Sequence, residues 1–162
     1  MSKSQTPNPI SHSLAKSVPF VLNLGAKHST LTLATTTASG LPQAAPLFFA
    51  AAADGSLIFV SGAESRHSLN IAANGTAAVT IYGDTWSWNE IVGMQMEGSV
   101  SAIPAGPERD AAWETYKAKF SFVADFEDDV ARSHFYRFTP RWVRSIDNRV
   151  RFGFREEFTA DE

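Results

Sequence analysis

The chain has 162 residues, of which 44% are hydrophobic, 19% charged and 12% aromatic, with no cysteine and a formal net charge of −3. That length suits one domain with a single sizeable core. The missing cysteine excludes disulfide scaffolds, cysteine-ligated zinc or iron–sulfur sites and any thiol nucleophile, and the acidic balance disfavours a dedicated nucleic-acid binder.

Ser, Thr, Pro and Asn dominate the first residues, so residues 1–10 are expected to be a disordered terminus, followed by a single domain over 11–158. No apolar run approaches the ~20 residues that span a bilayer, and the start lacks the apolar run of a secretory signal. The expected location is the cytoplasm. Leu14, Val18, Val21 and Leu22 recur at helical spacing, which predicts an amphipathic helix from Ser11 to Lys27, bent at Pro19. The period then changes to two. Residues 30–35 alternate as a strand, Ser39-Gly40 turns the chain, and a second extended run follows from Pro42 to Ala52. Asp54-Gly55 signals a two-residue hairpin into the strand Leu57–Val60. A helix over Ser65–Ala73 ends at Asn74-Gly75, whose glycine suits a left-handed cap.

Two more strands are predicted at 77–82 and 91–103, then a helix at 107–120 opened by Pro107, and a second short helix at 122–132. Phe135–Phe138 and Trp142–Ile146 read as separate strands divided by Thr139-Pro140. Five to seven strands with mostly short turns fit a closed or nearly closed antiparallel barrel with helices outside it. Charge is segregated. Asp125, Glu127, Asp128 and Asp129 cluster, whereas seven of the nine arginines lie between Arg132 and Arg155.

Among candidate sites the strand-turn-helix stretch from Phe59 to His67 is the most informative. The free amides of a first helical turn favour an anion, Ser65 supplies a hydroxyl, Arg66 a bidentate cation and His67 a further donor. The same residues also read as a helix cap and solvated side chains. In Gly93–Gly98, Met94 and Met96 share one strand face, while Gln95 and Glu97 share the other, where they line either a cavity, a subunit contact or solvent. Trp86, Trp88 and Trp142 either stack on a planar ring or pack in the core or an interface. His12, His28, His67 and His134 lack metal-site spacing, and no nucleophile elbow, dinucleotide fingerprint or P-loop occurs.

Taken together, residues 14–156 resemble the FMN-binding split-barrel family related to pyridoxamine 5'-phosphate oxidase. The anchors are Leu33-Ala34-Thr35 with Gly40 and Pro42, Leu57–Val60, Ser65-Arg66-His67 with Ile71 and Asn74, Gly93–Gly98 and Arg137-Phe138-Thr139-Pro140. The ending Ser145-Ile146-Asp147-Asn148 with Phe152-Gly153-Phe154 is similar to small bacterial members of the group. The resemblance implies a mainly β, six-stranded antiparallel split barrel of Greek-key order with flanking helices. It also implies a homodimer with FMN in clefts at the subunit interface. Ser65, Arg66 and His67 would hold the phosphate, with His67 standing where the family usually has lysine. Val60 and Ser61 would run beside the isoalloxazine, with Thr35 and Gln95 as further contacts.

The stretch Gln43–Leu47 has no arginine where the oxidase carries one, and Ile146 and Asp147 stand near the oxidase's tryptophan and basic residues. Both departures weigh against pyridoxamine phosphate as substrate. The resulting expectation is an FMN-dependent oxidoreductase acting on a small molecule. The alternatives are the oxidase proper and a non-enzymatic flavin- or heme-binding protein with His28, His67 or His134 as axial ligand.

Overall fold

A computed structural model describes residues 11–160; the expected disordered terminus, 1–10, lies outside them. Eight strands and four α-helices are present among these residues: β1 (Ser11–Ser13), α1 (Val18–Lys27), β2 (Thr30–Thr36), β3 (Pro42–Ala51), β4 (Leu57–Ser61), α2 (Arg66–Asn74), β5 (Thr76–Tyr82), β6 (Val92–Ala102), α3 (Pro107–Lys119), α4 (Glu127–Arg132), β7 (His134–Asp147) and β8 (Arg155–Thr159).

The six strands β2 to β7 form the barrel, in the order β4-β3-β2-β5-β6-β7, and β7 pairs back onto β4 to close it. Three hairpin-linked strands followed by a fourth beside the first make this a Greek key. The barrel pairings are all antiparallel. Outside the barrel, β8 pairs with the second half of β7, and β1 adds to β8 in parallel.

Alternation sorts the barrel residues. Leu31 and Leu33 of β2, and Met94 and Met96 of β6, point inward and are buried, while Gln95 and Glu97 point out. Val21 and Leu24 of α1 and Ile71 of α2 join this interior core. β4 reads as a continuous apolar run because both its faces are covered. Leu57 and Phe59 face the interior, and Ile58 faces a second cluster in which α3 packs Ala112 and Tyr116 against Phe135 of β7. Each fully buried large apolar side chain contributes about 1.5–3 kcal/mol.

Several elements differ from expectation. The first helix starts later, because Ser11–Ser13 is strand and Leu14–Ser17 a 3-10 turn closed by Ser17 Oγ donating to the Leu14 carbonyl. Pro19 lies in the first turn of α1, where its missing N–H breaks no helical bond, so it does not bend a longer helix. The turn at Asp54-Gly55 has three residues, since Ala52 N–H donates to the Ser56 carbonyl and Gly55 takes φ of 84°. The expected helix at 122–132 divides into a 3-10 segment, Ser121–Phe126, and α4.

The two C-terminal strands are one. Gly98 pairs with Pro140 and Glu97 with Trp142, so Arg141 is the extra residue of a bulge beside Pro140, a position where a strand tolerates proline. A Cβ on Gly98 would collide with the Thr139 carbonyl, which is why glycine stands there. β8 was not anticipated, because Phe158 is its one core residue among charged neighbours. No helix among the described residues is long and apolar enough to cross a membrane.

Candidate functional site

The site begins with a register change. β3 pairs with β2 along its length, from Thr30↔Phe48 to Thr36↔Pro42, but with β4 only from Phe49↔Phe59 to Ala51↔Leu57. Val60 and Ser61 of β4 pair instead with Phe135 and His134 of β7. The barrel is therefore split between the first half of β3 and the end of β4. Phe49 N–H donates to the Ser29 carbonyl on the β2 side, so by antiparallel alternation the backbone groups of Ala44, Pro46 and Phe48 face the split. Proline is tolerated at that unpaired edge, and Ala44 and Phe48 keep their donors there.

The turn after Ser61 aims α2 at the end of the split. Ser65 is the N-cap, its Oγ accepting from Ser68 N–H at 3.3 Å and donating to Ser68 Oγ at 2.7 Å. Gly75 closes the helix at φ 69°. His67 is 9% exposed, and its Nε2 lies 2.6 Å from Ser61 Oγ, which is 3.2 Å from Ser65 Oγ. Burial pushes the His67 imidazole below its ordinary pKa, toward the neutral ring. Arg66 is exposed, and among the described residues it makes no ion pair or side-chain hydrogen bond. The helix start thus presents a free guanidinium, three hydroxyls and a buried imidazole beside an open strand edge.

Of the residues singled out from sequence, Val60, Ser61, Ser65, Arg66 and His67 come together at this corner. Thr35 lies beneath α2, its Oγ1 accepting from Asn70 Nδ2 at 3.0 Å. Gln95 does not join them in one chain. It stands on β6 beside Thr80 and Arg144, on the barrel's other exterior face. Sequence reasoning missed Asn70 and Gln43. Asn70 is buried, bonds both Thr35 and Gln43 Oε1 at 3.3 Å, and with Asn74, which donates to Thr36 Oγ1 at 2.9 Å, fastens α2 over the β2–β3 hairpin. The i, i+4 spacing of the two asparagines was the available signal.

The other histidines and tryptophans disperse. His28 caps α1 beside Gly83, and His134 opens onto a cleft of about 590 Å³ lined by Ser68, Ala72, Gly75 and Tyr136. No group of three potential metal ligands occurs among the described residues. Trp86 is fully exposed, and Trp142 lies on the barrel exterior with the Arg144 guanidinium 5.0 Å from its ring. Asp147 is bonded by Arg149 at 2.8 and 2.7 Å, an interaction that lowers its pKa.

Residues 20–147 match the family model described as pyridoxamine 5'-phosphate oxidase. No functionally curated protein matches the sequence. Among solved structures, the chain is similar to a heme binding protein from Mycobacterium smegmatis, with a TM-score of 0.73 and 18% identity over 86% of this chain and 56% of that one. This chain therefore spans little more than half the length of that protein. It is also similar to HutZ, the heme storage protein of Vibrio cholerae (TM-score 0.66, 16% identity, 75% of this chain and 88% of that one). A putative pyridoxamine 5'-phosphate oxidase from Listeria innocua gives a TM-score of 0.63 at 17% identity, over 83% of this chain and 99% of that one. At such identities the structural likeness carries the fold.

Proposed function

Because the chain belongs to the pyridoxamine 5'-phosphate oxidase family, we propose that it is a homodimeric FMN-binding oxidoreductase acting on a small molecule, with the flavin along the split between β3 and β4. The observation that carries this reading is the unpaired Arg66 at the start of α2, next to a strand edge whose Ala44 and Phe48 amides face outward. FMN has the matching parts: a phosphate for the helix start, and a heterocycle whose carbonyls and ring nitrogens pair with a backbone edge. When bound, FMN supplies the redox chemistry, and the protein supplies anchoring, orientation and shielding.

Arg66 and Ser65 anchor the phosphate, the Val60–Ser61 end of β4 runs beside the isoalloxazine ring, and the edge of β3 helps to orient that ring. The substrate is not expected to be pyridoxamine phosphate, since Gln43–Leu47 offers no cation and Asp147 is committed to Arg149. The second subunit covers the barrel face that carries Gln95.

The test is the visible spectrum of the untagged protein, before and after adding FMN and removing the excess. Retained flavin bands support the reading, and a protein that keeps no flavin overturns it. Arg66→Ala is expected to weaken FMN binding by about 1.5–3 kcal/mol, with folding unchanged. Unaltered affinity in that variant removes the phosphate assignment. One observation favours a second reading, heme binding, as named for the similar proteins of M. smegmatis and V. cholerae: His134, a candidate axial histidine, lines a cleft of about 590 Å³. A heme band lost in His134→Ala would establish that reading.

A further inference from the structure

Resting on the flavin reading above, we propose that His67 couples capture of the cofactor's phosphate to the uptake of one proton from solvent, so that the site tightens on a phosphate monoester as pH falls toward neutrality and loosens above it. A phosphate monoester is a dianion above its second pKa of about 6. The first turn of α2 offers it one permanent cation, Arg66, while Ser61, Ser65 and Ser68 are neutral. Within that turn a second positive charge comes only from protonating His67.

The geometry says how that charge reaches the anion. His67 is buried, and its Nε2 touches Ser61 Oγ at 2.6 Å, with Ser65 Oγ a further 3.2 Å along. Ser65 Oγ spends its hydrogen on Ser68 Oγ, so the Ser61 hydroxyl donates to Ser65 Oγ and His67 Nε2–H donates to Ser61 Oγ. The proton taken up therefore adds at Nδ1, and the resulting imidazolium strengthens the donation to Ser61 and supplies the second positive charge behind the helix start. His67 is thus a positioning residue acting through Ser61. Burial favours the neutral ring, and a nearby dianion reverses that preference. The balance is neutral imidazole plus one proton plus phosphate dianion, giving imidazolium paired with phosphate dianion.

The charged and titratable groups on the surrounding elements are few. Glu64 and Arg66 flank the cap, and His134 of β7 stands opposite Ser61. From β2 and β3 the helix meets Thr35, Thr36 and Gln43, none of which titrates in this range. His134 is therefore the neighbouring imidazole, and the control substitution is made there.

Calorimetry of FMN binding at pH 7.5, in two buffers of different ionisation enthalpy, reads the proton directly on the wild-type protein. The expected result is uptake of close to one proton, with affinity falling by up to about tenfold per pH unit between pH 6.5 and 8.5. Riboflavin, which lacks the phosphate, is expected to bind without uptake. His67→Lys, which holds its charge throughout, is expected to abolish the uptake and flatten the pH dependence, and His134→Gln to preserve both. FMN bound by the wild type without uptake and with flat affinity overturns the coupling alone, as does uptake that survives in His67→Lys. Absence of FMN binding at every pH overturns the flavin reading and the coupling with it.

Discussion

The barrel has two exterior faces built on opposite plans. Over β3, β4 and the first half of β7 the outward residues are Ala50, Ile58 and Phe135, and α3 with the segment after it covers them. Over β2, β5, β6 and the second half of β7 they are Thr32, Ala34, Ala78, Thr80, Gln95 and Trp142, with no helix of the described chain above them. The first face is sealed by the chain itself. The second carries small and amphipathic residues around shallow clefts of about 450 and 470 Å³, a surface suited to another subunit rather than to a buried core. Packing outside the barrel is therefore concentrated on one side, and association is expected on the other.

Phe135→Ala is the strongest way to break the sealed side. Phe135 is 1% exposed and meets Trp113 and Tyr116 edge-on, with the Arg109 guanidinium 5.4 Å from its ring. Its loss is expected to cost about 3–5 kcal/mol in denaturant unfolding. A cost below 1 kcal/mol would mean that α3 is not what secures this face. Gly98→Ala tests the seam where β7 passes from one face to the other. Its methyl would drive into the Thr139 backbone, for an expected loss of about 1–3 kcal/mol and a distorted bulge. An unchanged unfolding midpoint would show that the bulge is not tightly held.

Legibility in the sequence follows the same division. The sealed face announced itself locally, because a strand buried on both sides must read as an unbroken apolar run, as Leu57–Val60 does, and the helix opposite it carried Ala112, Trp113, Tyr116 and Phe120 at helical spacing. The cap pair Ser65 and Gly75 was equally local. What was not legible was nonlocal or compensated. Thr139-Pro140 looks like a strand break, and only the facing Gly98 makes a bulge possible. The split depends on where β4 leaves β3, a register that no short window contains. The contact between Ser61 and His67 spans a turn whose geometry the residues suggest but do not specify. Asn70 appeared as an ordinary polar helix residue because its partners are 27 and 35 positions away.

Lys119 gives the sealed side a pH signature. At the end of α3 its Nζ donates to the carbonyls of His28 and Phe49, each at 2.7 Å, and lies 4.0 Å from the Phe49 ring. Burial pushes its pKa down from 10.5 to about 8. Between these values the unfolded chain binds more protons than the folded one, so stability is expected to rise with pH from about 8 to 10. Lys119→Met is expected to remove that rise. A wild-type stability that is flat or falling over this window would show that the two carbonyls and the aromatic rings hold the ammonium more strongly than burial disfavours it.

The smallest change in folding is expected from a charge placed on the open face. Ala78 lies on β5 opposite Ala34 and borders both shallow clefts. Ala78→Glu creates no cavity within the subunit but sets its carboxylate opposite that of Glu97, so unfolding of the dilute chain should be weakened by no more than about 1 kcal/mol. If a second copy covers this face, the same carboxylate is buried at the subunit contact beside that of Glu97, and the dimer should dissociate. Light scattering would then give twice the monomer mass for the wild type and one monomer mass for the variant. The melting temperature of the wild type alone would rise with protein concentration, because association stabilises the folded form by mass action. A wild-type monomer, or a variant that remains dimeric, would place the subunit contact elsewhere and leave Gln95 outside any shared site. The two barrel faces would then differ in packing but not in purpose.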